Sequence, residues 1–163
     1  MKLRGPWSEV KARAFLAEVQ IPLRLACQGQ TGFPVLASLW FVPQDGRIWC
    51  ATQESARTAR LLRDDPRCAF EVAPETPPYR GVRGQAEARI DVARGPEILE
   101  LLIARYLGDD RSDFARWLLS RAESEVAIAL EPRSMLSWDF GARMAGAVRS
   151  GRAAEGDAEP DSS

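Results

Sequence analysis

Apolar residues alternate with polar or small ones over several short stretches, and only a few stretches show helical spacing. Val10, Ala14, Phe15 and Val19 recur at roughly helical spacing behind Ser8, which predicts a capped helix over 7–19. Around Pro22 the pattern switches: Ile21, Leu23, Leu25 and Cys27 alternate as a half-buried strand. Gly29-Gln30-Thr31-Gly32 is a turn, and Val35 to Val42 reads as one strand, apolar on both faces. Such a strand belongs in a wall covered on both sides, with a second subunit as one possible cover. Gln44-Asp45-Gly46 predicts a hairpin leading into a strand over 47–52. Ser55 to Arg63 reads as a short helix stopped by Asp64-Asp65-Pro66. Cys68, Phe70 and Val72 alternate again, Pro74, Pro77 and Pro78 make a rigid loop, and 79–90 is a long strand with a polar face of Arg83, Gln85, Glu87 and Arg89.

Gly95-Pro96 opens a helix that Gly108 closes, Ser112 caps another carrying Phe114, Trp117 and Leu118, and Val126, Ile128 and Leu130 form a last strand. Six strands joined by hairpins or short helices predict a mainly β, antiparallel barrel with helical decoration. The residues after about Met144 lack apolar periodicity and are rich in Gly, Ala, Ser and acidic residues. The expected organisation is therefore one domain over 1–144 and a disordered tail over 145–163.

The composition narrows the chemistry. The 163 residues contain no histidine, which removes Ser-His-Asp and Cys-His catalysis, His-ligated haem and most catalytic zinc sites. An enzyme built on this chain takes its difficult chemistry from a bound organic cofactor, and no metal site is expected. The 22 Lys+Arg balance 23 Asp+Glu, against the basic excess usual in nucleic-acid proteins. No apolar run is long enough to span a membrane, and the first residues resemble no signal peptide, so a cytoplasmic location is expected. Cys27, Cys50 and Cys68 all sit in strand-like runs and are expected as buried free thiols.

Candidate chemistry concentrates where the strand ending at Thr52 meets the helix beginning near Ser55. A helix start offers unpaired backbone N–H groups and partial positive charge, both suited to phosphate. Thr52 and Ser55 would add hydroxyls, and Arg57 a forked cation. On residue types alone, Ser55 is equally a plain cap and Arg57 a solvated charge.

The pattern Thr52-x-x-Ser55-x-Arg57, followed by Leu61 and Asp65-Pro66-Arg67, resembles the FMN-phosphate segment of the pyridoxamine 5'-phosphate oxidase-like split barrels. The hairpin from Gly32-Phe33-Pro34 through Asp45-Gly46, the stretch Val82-Arg83-Gly84-Gln85-Ala86-Glu87, and Pro132, Trp138 and Asp139 match further segments in the same order, over roughly residues 7–143. The resemblance implies a six-stranded antiparallel split β-barrel working as a homodimer, with the flavin between subunits. It implies that Ser55 and Arg57 hold the FMN phosphate, with Thr52 beside them. The ring is implied near Val35, Ala37, Ser38 and Trp40, near Cys50 and Ala51, and near Trp138 of the other subunit. Ala56 stands where the oxidase carries a further arginine, and the oxidase's Arg-x-His substrate signature has no counterpart, so pyridoxine chemistry is not assigned.

The expected function is thus FMN binding, with flavin-dependent oxidation or reduction of a small molecule. F420 in place of FMN, and a non-catalytic flavin carrier, are the alternatives. No nucleic-acid or membrane partner is expected, and catalytic residues are not assigned.

Overall fold

The computed structural model describes residues 2–108 and 112–145, so all but the first residue of the expected tail lies outside the described residues. The elements are β1 (Lys2–Arg4), α1 (Glu9–Glu18), β2 (Leu23–Gln28), β3 (Pro34–Leu39), β4 (Val42–Gln44), β5 (Arg47–Gln53), α2 (Arg57–Asp64), β6 (Arg67–Val72), β7 (Arg80–Asp91), α3 (Gly95–Leu107), α4 (Asp113–Leu119) and β8 (Glu125–Asp139). Local chemistry sets many boundaries. Ser8 accepts a hydrogen bond from the Lys11 N–H at the start of α1, and Ser112 does the same for Ala115 at the start of α4. Asp45 and Gly46 both take positive φ, 53° and 74°, the left-handed pair that a tight hairpin requires.

The strands form one eight-stranded sheet in the order β3-β2-β6-β7-β8-β5-β4, with β1 parallel to β8 and every other pairing antiparallel. The barrel is mainly β as expected, but it has eight strands rather than six. One addition is the short β1, too brief to leave a periodic signal. The other comes from the run Val35 to Val42, which breaks into β3 and β4 at Trp40-Phe41.

That break closes the barrel. β3 and β4 lie at opposite ends of the sheet path, and only two residues join them. Chain, rather than a ladder of hydrogen bonds, bridges the gap. The backbone N–H of Phe41 leaves the ladder and donates to the Tyr106 hydroxyl at 3.2 Å, which in turn donates to the Ile21 carbonyl at 2.9 Å. A buried amide at a sheet corner needs such a partner.

The interior is filled by Leu23, Leu25, Phe41, Phe70, Val72, Val82, Ile128 and Leu130, all essentially inaccessible to solvent. Gly84 lets the Phe70 ring lie across the strand, since a Cβ there would come within 2.8 Å of that ring. On the outer face of β5 and β8, Trp49, Ala127 and Ala129 pack under Ile98 and Leu102 of α3. Residues 126–130 are therefore covered on both sides. Cys27, Cys50 and Cys68 are buried and free, as their strand positions implied. No helix among the described residues is long and apolar enough to cross a membrane.

Candidate functional site

α2 is amphipathic. Ala59, Leu61 and Leu62 are buried, while Arg57, Arg60, Arg63 and Asp64 face out. It stops where Pro66 can no longer supply an N–H, and the Asp65 N–H closes the last turn on the Leu61 carbonyl. The Asp65 carboxylate takes the Arg67 guanidinium at 2.7 Å and the Arg67 backbone N–H at 3.0 Å, which together hold Asp65 down to about 2.

The start of α2 differs from the expected one. β5 runs on through Gln53, and the Glu54 N–H stays tied to the Ser124 carbonyl at 2.8 Å. The Ala56 N–H then closes a turn on the Gln53 carbonyl at 2.9 Å. Helical geometry begins at Arg57, so Ala56 occupies the cap position and Ser55 does not cap. Ser55 is exposed in the preceding turn. No side chain caps the first turn, which leaves its N–H groups facing outward.

The cations around this helix divide into two sets. Arg63 is held by Glu54 at 3.0 Å and Arg67 by Asp65. Arg57 and Arg60 have no carboxylate partner among the described residues. They lie on one side of the helix, three positions apart, and share a hollow of about 470 Å³ with Gln30, Leu61, Arg63 and Asp64. Gln30 comes from the β2–β3 turn, which Gly32, with φ of 85°, folds back so that its N–H meets the Gly29 carbonyl at 3.0 Å. Arg57 also lies near Cys27, where its charge partly offsets the upward push of burial on that thiol.

The structure brings Thr52, Ser55 and Arg57 together at this end of the barrel, but it spreads the other candidates. Cys50 is fully enclosed in the core and offers no surface to a ligand. Val35 and Ala37 are half-buried on the inner face of β3, Ser38 is exposed on its outer face, and Ala51 packs under α3 and α4. Trp40 stacks on Tyr106, with ring centres 4.9 Å apart and planes at 4°, and meets the edge of Phe114. Trp138 pairs with Gly81, at the opposite end of β7 from Ala88, which bonds to Pro66 just after α2. Seven residues of strand, roughly 24 Å, separate the two ends, so Trp138 is far from Arg57 of the same chain. Gln30 is the member that the sequence hides, because in a Gly-rich turn it reads as loop filler. Arg60 is visible only as the helical partner of Arg57.

A second feature lies on the outer face of the sheet. Ala26, Leu36, Ala69 and Leu136 floor an open trough of about 770 Å³, with Arg4, Arg24 and Arg83 along it. Leu36 is 74% exposed and Phe33 77% exposed. The strand expected to be covered on both sides thus has one covered face and one open face, at the edge of the sheet.

No protein-family profile matches the chain. No curated protein matches it either. Among solved structures, it is similar to the conserved hypothetical protein Rv2991 of Mycobacterium tuberculosis, with 26% identity and a TM-score of 0.70 over 82% of this chain and 86% of the other. It is similar to an F420 reductase at 19% identity and a TM-score of 0.63, over 74% and 92% of the two chains. It is also similar to a Listeria innocua protein provisionally named a pyridoxamine 5'-phosphate oxidase, at 17% identity and a TM-score of 0.60, over 78% and 94%. The chain has the split-barrel fold of the pyridoxamine 5'-phosphate oxidase-like flavin and deazaflavin proteins.

Proposed function

We propose that this chain binds FMN through its phosphate at the start of α2 and works as a flavin-dependent oxidoreductase on a small molecule. One observation carries the reading. Arg57 and Arg60, both without a carboxylate partner among the described residues, share with Gln30 and Asp64 a hollow along the outer side of α2, a helix whose first turn no side chain caps. Two cations and an amide donor, beside a helix start with unpaired backbone N–H groups, suit a phosphate oxyanion that stays clear of the Asp64 carboxylate. The set fits the phosphate of FMN, and it also fits the phosphodiester of F420.

When bound, a flavin or deazaflavin ring supplies hydride transfer. The chain's own contribution is binding and orientation. The ring is expected beyond Thr52 along β3, and a homodimer is expected to bring Trp138 of a second copy toward it. That geometry explains why Trp138 stands far from Arg57 within one chain.

Absorbance spectra of the purified protein, titrated separately with FMN and F420, test the reading. A bound, perturbed flavin or deazaflavin band is the expected result. Oxidation of NAD(P)H, or turnover with reduced F420, then distinguishes an oxidoreductase from a carrier. If neither cofactor binds, the proposal is wrong and the arginine hollow serves another anion.

A further inference from the structure

We propose that Cys27 and Cys68 form a redox-active pair across two strands, closing to a disulfide when the protein meets a peroxide. The two residues are direct partners in the antiparallel pairing of β2 with β6. Both side chains point to the barrel interior, in step with Leu25 and Phe70.

The hydrogen-bond phase of the sheet shows that theirs is the close kind of pair. The Gly29 N–H donates to the Phe33 carbonyl. Two residues back along β2, Cys27 therefore turns its N–H and C=O toward Val35 of β3, and away from β6. Independently, the Ala88 N–H donates to the Pro66 carbonyl. Two residues on, Cys68 turns its backbone groups toward Ala86 of β7, and away from β2. Between β2 and β6 the two cysteines are thus a non-hydrogen-bonded pair, the kind whose Cα atoms approach to about 4.5 Å. A disulfide accepts Cα separations of roughly 4.4–6.8 Å.

The thiols are free and currently face apart. Cys27 Sγ donates weakly to the Val35 carbonyl at 3.9 Å, and Cys68 Sγ to the Ala86 carbonyl at 3.4 Å. Rotation about the two Cα–Cβ bonds brings the sulfurs together at the cost of two weak hydrogen bonds. The adjoining groove of about 400 Å³ lies on the outward face with Gln28, Pro34, Arg67 and Ala69, so a small oxidant reaches the inward-pointing thiols through local opening of these strands.

The two roles follow from the surroundings. Burial pushes both thiols up; at Cys27 the Arg57 charge offsets part of that push, whereas Cys68 has no such cation and rises to about 12. Cys27 attacks one peroxide oxygen, the O–O bond breaks, and Cys27 becomes a sulfenic acid while one water leaves. Cys68 then attacks the sulfenyl sulfur, the S–S bond forms, and the second water leaves. The sum is two thiols and one hydrogen peroxide giving one disulfide and two waters. The closed loop contains β3, β4, β5 and α2, so oxidation staples the segment that carries Arg57.

Peptide mapping of the full chain tests this directly, because trypsin places each cysteine on its own peptide: 25–47 for Cys27, 48–57 for Cys50 and 68–80 for Cys68. The protein is treated with hydrogen peroxide, denatured in N-ethylmaleimide and digested without reductant. Peptide 25–47 should be joined to 68–80, with 48–57 alkylated, and dithiothreitol should restore three alkylated peptides. The oxidised protein should melt several degrees higher than the reduced one. In Cys27→Ser, Cys68 should remain alkylatable. Linkage through Cys50, a disulfide between two chains, or three alkylated cysteines after peroxide would each overturn the pairing.

Discussion

At the scale of single residues, the proposed phosphate site rests on cations that the fold leaves without an acid partner. Asp65 and Glu54 neutralise Arg67 and Arg63, whereas Arg57 and Arg60 have no ion pair among the described residues and share one hollow with Gln30. A hydrogen bond to a charged group contributes about 1.5–3 kcal/mol. Arg57→Ala should therefore weaken FMN by roughly ten- to a hundredfold. Riboflavin has no phosphate, so its affinity should stay nearly constant. Arg57 is exposed and caps nothing, so the melting temperature of the ligand-free variant should match that of the parent protein. Paired titrations of the two ligands decide the matter: equal weakening would assign Arg57 a structural role.

The buried thiols give a residue-scale prediction of a different sign. Burial favours the neutral form and raises the Cys68 thiol from 9.0 in its ordinary state to about 12, and it raises Cys50 as well. A group raised on folding contributes stability that is complete below its unfolded value and is lost as pH climbs toward the folded one. The protein should lose thermal stability between about pH 9 and pH 12. Cys68→Ala should flatten that decline when melting temperature is followed across the range.

At the scale of elements, Arg105 in the last turn of α3 does for α1 what its own sequence does not. Helix α1 has no basic residue in its last turn. The Arg105 guanidinium instead donates to the carbonyls of Leu16, Ala17 and Val19, at 2.8, 2.8 and 2.6 Å. Next to it, Tyr106 bridges Ile21 and Phe41 across the barrel's gap. Two consecutive residues of α3 thus lock both the end of α1 and the corner between β3 and β4. Arg105→Ala should cost about 2–3 kcal/mol in denaturant unfolding, since several carbonyls lose a charged donor together. A loss below 0.5 kcal/mol, the range of ordinary surface changes, would show that water replaces the guanidinium without penalty.

These same elements show what a linear pattern can and cannot carry. The alternation through Leu23, Leu25 and Cys27, the Asp45-Gly46 turn, and the caps at Ser8 and Ser112 are local chemistry, and they were legible without the fold. The corner at Trp40-Phe41 was not, because the Tyr106 hydroxyl that stabilises it lies 65 residues away. An apolar run carries no mark of where it changes strand partners. The start of α2 slipped from Ser55 to Arg57 for a similar reason: a long-range bond from Glu54 to Ser124 prolongs β5. Thr52, Ser55 and Arg57 could be found as a cluster because they are neighbours in sequence. Gln30 could not, since only the packing of the β2–β3 turn brings it to Arg57 and Arg60.

At the scale of the whole molecule, the outer face of the sheet is the part a single chain leaves unfinished. Leu36 is open to solvent, and Ala26, Ala69 and Leu136 continue the apolar floor. Of the cations along it, Arg24 pairs with Glu75 at 2.8 Å, and Arg83 lies over the Trp138 ring at 5.5 Å. A stable dimer buries about 800 Å² from each partner, a modest part of the 10349 Å² that this chain exposes. A twofold dimer would cover the face with its own copy, since such an interface uses one patch twice. Light scattering after size exclusion should give about twice 18.0 kDa. Leu36→Glu is the decisive variant. The side chain is 74% exposed, so the substitution should leave the circular dichroism of the single chain intact. In a dimer it would bury two carboxylates on the apolar floor, a desolvation cost that Arg4 and Arg24 along the trough offset only in part. The variant should therefore run as a monomer, and its FMN affinity should fall with its association if the cofactor lies between subunits. A wild-type monomer would remove the dimer altogether. A Leu36→Glu protein that still dimerises would move the interface off this face and leave the trough without a second copy to fill it.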